Sequence, residues 1–260
     1  TAYEISLGLV GSEMCIRDSL MARRHFHEHG SNHDDLVNIS VKNHMHGFEN
    51  EMAHIRKQVS FEKAQSGFMV ADPLTLYDCC PTSDGASAVI LAADHVVRRF
   101  TDDPVWLRSS GAGSDYLALH DRPSITQVKA TQQASNAAYK AAGITAADVD
   151  LAEVHDCFTI AELMATEDLG FAERGQGGVF AREQRGVRNQ GDVCINPSGG
   201  LKSKGHPLGA TGTGQAVEVF KQLRGSVEDA RQVRDAEIGI THNVGGSGAT
   251  CAVHVFGRDR

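Results

Sequence analysis

Gly205-His206-Pro207-Leu208-Gly209-Ala210-Thr211-Gly212 sets one histidine between a glycine and a proline, just ahead of a run of small residues. Gly205 and Pro207 hold the backbone in a fixed turn, so the imidazole has little freedom. A histidine takes up and releases a proton near neutral pH, which makes His206 a candidate for acid–base chemistry. A second candidate lies in Val154-His155-Asp156-Cys157-Phe158. A free thiol has a pKa of about 8.5, close enough to neutrality for an imidazole such as His155 to tune Cys157. A third stretch is Thr241-His242-Asn243-Val244-Gly245-Gly246-Ser247-Gly248. Without side chains, Gly245 and Gly246 let main-chain N–H groups approach a reacting oxygen closely.

These residues need a frame of strands and helices. Val105–Gly113 reads as a strand and turn, and Ser124–Ala142 as a helix stopped by Gly143. Val149–Val154 is a short strand, and Thr159–Leu169 a helix closed by Gly170. The small residues of Leu208–Leu223 suit a helix packed on all sides. Glu237–Thr241 and Ala249–Phe256 read as strands flanking the glycine loop. Alternating strands and helices predict a layered α/β sheet, with the three motifs at strand ends or helix starts. Asp84–Ala92 reads as a glycine turn leading into a buried aliphatic strand. Its likeness to Gly246–Phe256 suggests an internal duplication. His25, His27 and His29 fall on a helix that stops at Gly30. There alternate residues diverge, which favours a solvated face or subunit contact over a metal site. Cys79 and Cys80 read as core thiols leading into that strand.

The chain has 260 residues, 41% of them hydrophobic and 22% charged, as in a globular protein of one large or two smaller domains. A net charge of −8 gives nucleic-acid binding no electrostatic support. No apolar run is long enough to span a membrane, and no metal-ligand spacing joins the six cysteines. They read as the reduced thiols of an intracellular protein, so a cytoplasmic location is expected.

In order and content, the three motifs resemble those of the thiolases, which make and break carbon–carbon bonds between acyl-CoA thioesters. The His155–Cys157 stretch is similar to the sterol-carrier-protein-type and archaeal-type branch. The resemblance implies a layered αβαβα fold, incomplete here because the N-terminal half is largely missing. It also implies a remainder of the N-terminal domain with its loop domain over 20–120, and a C-terminal domain over 121–260, the boundary lying near Asp121-Arg122-Pro123. It implies that His206 activates a nucleophile and donates to an oxyanion, that Cys157 is the acid/base, and that His155 stands where other thiolases carry an asparagine that helps hold an oxyanion-hole water. Asn243 replaces a cysteine common in the family, which leaves the acid/base role to Cys157. His242 is either a supporting partner or structural, and Asp156 is expected to satisfy nearby donors. Coenzyme A is implied as substrate and product, with no permanently bound cofactor and no metal. Met69, in Phe68–Leu74, belongs to the covering loop, and Ser198 and Gly199 are candidate coenzyme contacts. Lys202 and Lys204 could meet coenzyme phosphates or stand as solvated loop lysines.

The resemblance starts abruptly at Leu20. Residues 1–19 resemble translated adapter sequence and are expected to lie outside the fold, the alternative being a genuine strand over Tyr3–Val10. The nucleophilic cysteine of the family would then lie upstream of residue 20, and the context of Cys15 does not suit it for that role. The implied function is acetyl-CoA C-acyltransferase chemistry, Claisen condensation or thiolysis of a 3-ketoacyl-CoA, carried by a fragment without its nucleophile. An alternative is a non-catalytic, CoA-ester-binding subunit of a larger complex. Ketoacyl synthases share the fold, but Pro207 argues against them. Implied partners are acyl-CoA thioesters, a second or further copies in a homodimer or homotetramer, and an OB-fold-type accessory protein; no nucleic acid and no membrane are expected.

Overall fold

The computed structural model describes residues 2–259, with side chains from residue 14 onward. In chain order the elements are α1 (Ala2–His29), α2 (His33–Phe48), α3 (Phe61–Gln65), β1 (Met69–Ala71), β2 (Leu74–Thr75), α4 (Asp94–Val97), β3 (Trp106–Ser114) and α5 (Lys129–Ala142). There follow β4 (Leu151–Glu153), α6 (Thr159–Asp168), α7 (Gly177–Arg182), β5 (Cys194–Ile195), α8 (Gly200–Ser203), α9 (Thr211–Leu223), β6 (Ile238–Gly245) and β7 (Thr250–Gly257).

A five-stranded sheet of order β3-β7-β6-β4-β5 carries the architecture. β3, β7 and β6 pair antiparallel, while β6, β4 and β5 run parallel. Alternate side chains feed two cores, as the pleat requires. Ala152, Ile240, Val253 and Val255 meet Ala130, Ala134 and Ala138 of α5, whereas Leu151 and Cys194 meet Val219 and Leu223 of α9. The result is a helix–sheet–helix sandwich, an α/β fold as the alternating pattern predicts. The α5 alanines recur every four residues, so one face is flat enough to lie directly on β3. The contact is so close that a Cβ on Gly111 would stand 2.0 Å from the carbonyl oxygen of Ala134.

Several boundaries differ from the sequence reading for local reasons. α5 begins at Lys129 rather than Ser124, because the preceding residues bond elsewhere: Thr126 Oγ1 donates to Glu28 and the Val128 amide to Asp168. Its end is as predicted, with Gly143 left-handed at φ +68°. α9 starts at Thr211, since the Ala210 and Thr211 amides close a turn onto the carbonyl of Pro207. It is not packed on all sides; Gly212, Thr213, Ala216 and Phe220 keep one face partly open. The glycine loop is largely strand, with β6 running through Gly245 before a tight turn at Gly246–Gly248.

Two expectations are overturned. Asp84–Ala92 is not a buried strand: it has no regular secondary structure and is exposed, with Ile90 96% accessible. Among the described residues no strand lies alongside to take its hydrogen bonds. Its anchors are a bridge from Thr82 to His206 and the Ser87 hydroxyl donating to the Ala210 carbonyl at 2.7 Å. The sequence likeness to β7 is therefore not matched by a repeated structure. The second correction concerns residues 14–19 of the segment 1–19. Met14 and Cys15 pack against a core around Leu36, Phe158 and Leu163, and Asp18 and Ser19 are buried, so these residues belong to the packed body. α1 passes residue 20 without a break, so no strand forms over Tyr3–Val10; the side chains of residues 1–13 lie outside the described residues. On the same helix His27 is exposed, but His25 is fully buried, its Nδ1 2.6 Å from Ser31 Oγ and its Nε2 3.0 Å from Glu167. The polar partners, not solvent, account for that histidine.

Candidate active site

The turn that carries His206 is locked from several sides. Gly205 adopts φ +110°, and a Cβ there would lie 2.6 Å from Ser83 Oγ, so glycine is required by both backbone and space. The His206 amide donates to Ser83 Oγ at 3.2 Å. Its Nδ1 lies 2.8 Å from Thr211 Oγ1, and the Thr211 hydroxyl donates to the Pro207 carbonyl at 3.0 Å. With its single proton committed there, Thr211 accepts from Nδ1–H, which leaves Nε2 as the basic nitrogen. Burial, followed by the nearby Lys204 ammonium, holds the imidazole below its ordinary pKa and so neutral.

His155 meets His206 edge to face, with ring centroids 5.0 Å apart. The His155 amide donates to His242 Nδ1 at 3.4 Å, so the His242 proton sits on Nε2 and points to Thr131 Oγ1 at 2.9 Å. Asn243 Nδ2 lies 3.5 Å from His155 Nδ1 and 3.2 Å from Gln215 Oε1, and Gln215 in turn donates to the His242 carbonyl. Burial lowers His155 and His242 to about 3, with the neighbouring imidazoles adding to the effect on His155. The fold thus gathers His206, His155, His242 and Asn243 from three strand or helix ends into one neutral polar cluster. Thr211, Gln215, Thr131 and Ser83 complete it. Sequence reasoning passed over these four, although Thr211 on the first turn after the histidine was visible as a hydroxyl within reach.

Cys157 faces other neighbours. Its thiol joins the core of Met21, Leu36 and Phe158. Burial pushes its pKa well above the ordinary range, and the Asp18, Cys80 and Asp156 groups push it further. Asp156 satisfies donors, as its context suggested: it accepts from the Leu201 and Lys202 amides at 2.7 and 3.2 Å and from Asn43 at 2.8 Å. Burial and the Glu162 carboxylate raise its pKa. Gly245 and Gly246 are exposed at the tip of the β6–β7 turn, where Gly246, Ser247 and Gly248 all take positive φ. Ser198 is fully buried, its amide and hydroxyl both donating to Glu153 at 3.0 and 2.8 Å. Gly199, at φ +97°, backs onto Gly47, whose Cα would be 2.5 Å from an added Cβ. Met69 is half-exposed on the β1–β2 hairpin. Lys202 is neither solvated nor free, its Nζ donating to the Cys79 carbonyl at 2.7 Å; Lys204 leans toward Glu153 at 3.5 Å. An open cleft of about 440 Å³ is lined by residues 83–87 and 207–210, with none of the cluster's imidazoles in its wall. Among the described residues no group of three His, Cys, Asp or Glu side chains is arranged to hold a metal, and no helix is long and apolar enough to cross a membrane.

The sheet, the histidine turn and the glycine hairpin together define a class. Residues 111–258 match the thiolase C-terminal domain-like family, and the chain belongs to it. It is 51% identical over 240 residues to an acetyl-CoA acetyltransferase of Methanothermobacter thermautotrophicus, a match covering 92% of this chain and 62% of that relative. It is 36% identical over 233 residues to sterol carrier protein 2 of Oryctolagus cuniculus, covering 87% of this chain and 42% of the relative. The solved structure of the Ltp2-ChsH2(DUF35) aldolase superposes with a TM-score of 0.82 at 23% identity, over 93% of this chain and 63% of that one. The chain therefore spans less than two thirds of the length of these relatives.

Proposed function

We propose that this chain supplies the histidine half of an acyl-CoA-handling site, working in Claisen condensation or thiolysis of a 3-ketoacyl-CoA. The observation that carries the reading is the neutral imidazole cluster, in which Thr211 engages His206 Nδ1 and leaves Nε2 as the basic nitrogen. In that reading Nε2 takes the proton of a nucleophilic thiol. His155 and Asn243 hold the thioester oxygen or a water bound to it, and the Gly245–Gly246 amides receive the second oxyanion. The proton-donor role implied for Cys157 requires its thiol to turn from the core around Met21 and Phe158 toward His155. Ser198 and Gly199 are buried against Glu153 and Gly47, and Met69 covers the coenzyme from the hairpin.

The described thiols are all raised by burial, Cys80 and Cys194 to about 12 and Cys251 to about 11, so none is a ready thiolate. The nucleophile comes from outside this chain, and the 260 residues alone bind thioester without turning it over. The same raised thiols favour a second reading, a CoA-ester-binding subunit of a cytoplasmic complex. The aldolase similar to this chain in fold carries two components in its name. Calorimetry with acetoacetyl-CoA tests the common part: saturable binding that is lost in Gly246→Val supports it. No binding, or binding unchanged by that substitution, overturns it. Thiolysis by this chain alone would overturn the outside nucleophile.

A further inference from the structure

Arg122 is the buried charge that the site, as described so far, does not use. Its side chain is 0% accessible, yet Nη1 and Nη2 have no hydrogen-bond partner among the described residues. Nε donates to the Tyr116 carbonyl at 2.8 Å, and the one carboxylate paired with it among the described residues, Asp115, stands 4.0 Å away. Unmet donors of a buried guanidinium are costly, so a native protein that keeps them calls for a reason. The guanidinium lies directly under the glycine hairpin: a Cβ on Gly248 would be 3.1 Å from Nη1. The same turn is held on its other sides by the loop that precedes Arg122. The Asp115 amide donates to the Ala249 carbonyl at 2.8 Å, and Leu117 Cδ1 would touch a Cβ on Gly246 at 3.0 Å. Arg17 reaches the turn from outside through Ser247 Oγ at 3.2 Å.

We infer that Arg122 is a positioning residue whose incompletely neutralised charge, buried behind the Gly246–Gly248 turn, biases that turn toward an oxyanion. The inference rests on the reading of this turn as an oxyanion site. Two physical effects act together. The guanidinium packs directly behind a turn of consecutive positive-φ residues, one of them the non-glycine Ser247 at φ +53°, and limits its retreat. From its buried side the charge also acts on the turn through low-dielectric protein, solvent screening it in part at the exposed outer face. Burial does oppose the charge, and Asp115 sustains it. Asp115 therefore both stabilises and attenuates the cation, and removing either partner has an effect of opposite sign on an anion at the turn.

Acetoacetyl-CoA is the probe. It loses one C2 proton to buffer, the C–H electron pair delocalising onto the thioester and ketone oxygens, and the enolate is read by its ultraviolet absorbance. The pKa of the bound probe is measured in the wild-type chain and in Arg122→Met, Arg122→Lys and Asp115→Asn, with circular dichroism and thermal melts as fold controls. The pKa rises by about one unit in Arg122→Met. It stays near wild type in Arg122→Lys and falls in Asp115→Asn. A pKa unchanged in folded Arg122→Met and Asp115→Asn overturns the inference and leaves the oxyanion reading standing. Wild-type chain that does not bind the probe overturns both. Should Arg122→Met not fold, the opposite-signed shift in Asp115→Asn decides alone.

Discussion

Three imidazoles in one cluster would repel one another if charged, and burial removes that problem by holding them neutral. His242 is the clearest case, with its pKa lowered to about 3. The unfolded chain binds a proton at this residue below its ordinary pKa of about 6.5, whereas the folded chain does not. Its contribution to stability is therefore full above pH 6.5 and is lost as pH falls toward 3. His242→Gln removes that loss. Relative to wild type, the variant should gain about 2 kcal/mol between pH 7 and pH 5 in urea unfolding. A pH-independent difference would show that His242 titrates alike in the folded and unfolded chain, and a difference of opposite sign that it is protonated in the fold. Residue types and motif order made the histidines legible in the sequence. What could not be read was direction: His155 and Cys157 are two residues apart, yet one faces the imidazole cluster and the other a hydrophobic core beside Asp18.

At the scale of elements, the site depends on how tightly α5 lies on β3 and β7, since Thr131 of α5 fixes the His242 tautomer. Gly111→Ala forces a methyl to within 2.0 Å of the Ala134 carbonyl oxygen, and the helix must lift. It should cost about 2–3 kcal/mol. Gly209→Ala, which meets nothing within 4 Å, should stay within about 0.5 kcal/mol. Equal effects in denaturant unfolding would contradict the packing account. Strand and helix periodicity located most elements because one face of each is buried here. It failed over Asp84–Ala92, where the apolar pattern is that of a buried strand but no neighbour among the described residues buries it. Sequence pattern reports what a segment is suited to pack against, not whether that partner is within the same chain.

The whole molecule is a three-layer α/β unit spanning 62% of the length of the Methanothermobacter acetyltransferase. Its exposed aliphatic segment forms one wall of the cleft and the turn before α9 the other, with the Ser87 hydroxyl donating to the Ala210 carbonyl between them. In the proposed function the imidazole cluster, rather than any described thiol, is the centre of this unit. The most direct test is a nitrogen-15 NMR titration of the histidine rings with acetoacetyl-CoA at neutral pH. The account predicts His206 protonated at Nδ1 in the free chain, and ring shifts on binding at His206, His155 and His242. The buried His25 and His46, held by Ser31, Glu167 and the Asn196 carbonyl, should not move. Shifts confined to histidines outside the cluster, or a proton on Nε2 of free His206, would contradict it.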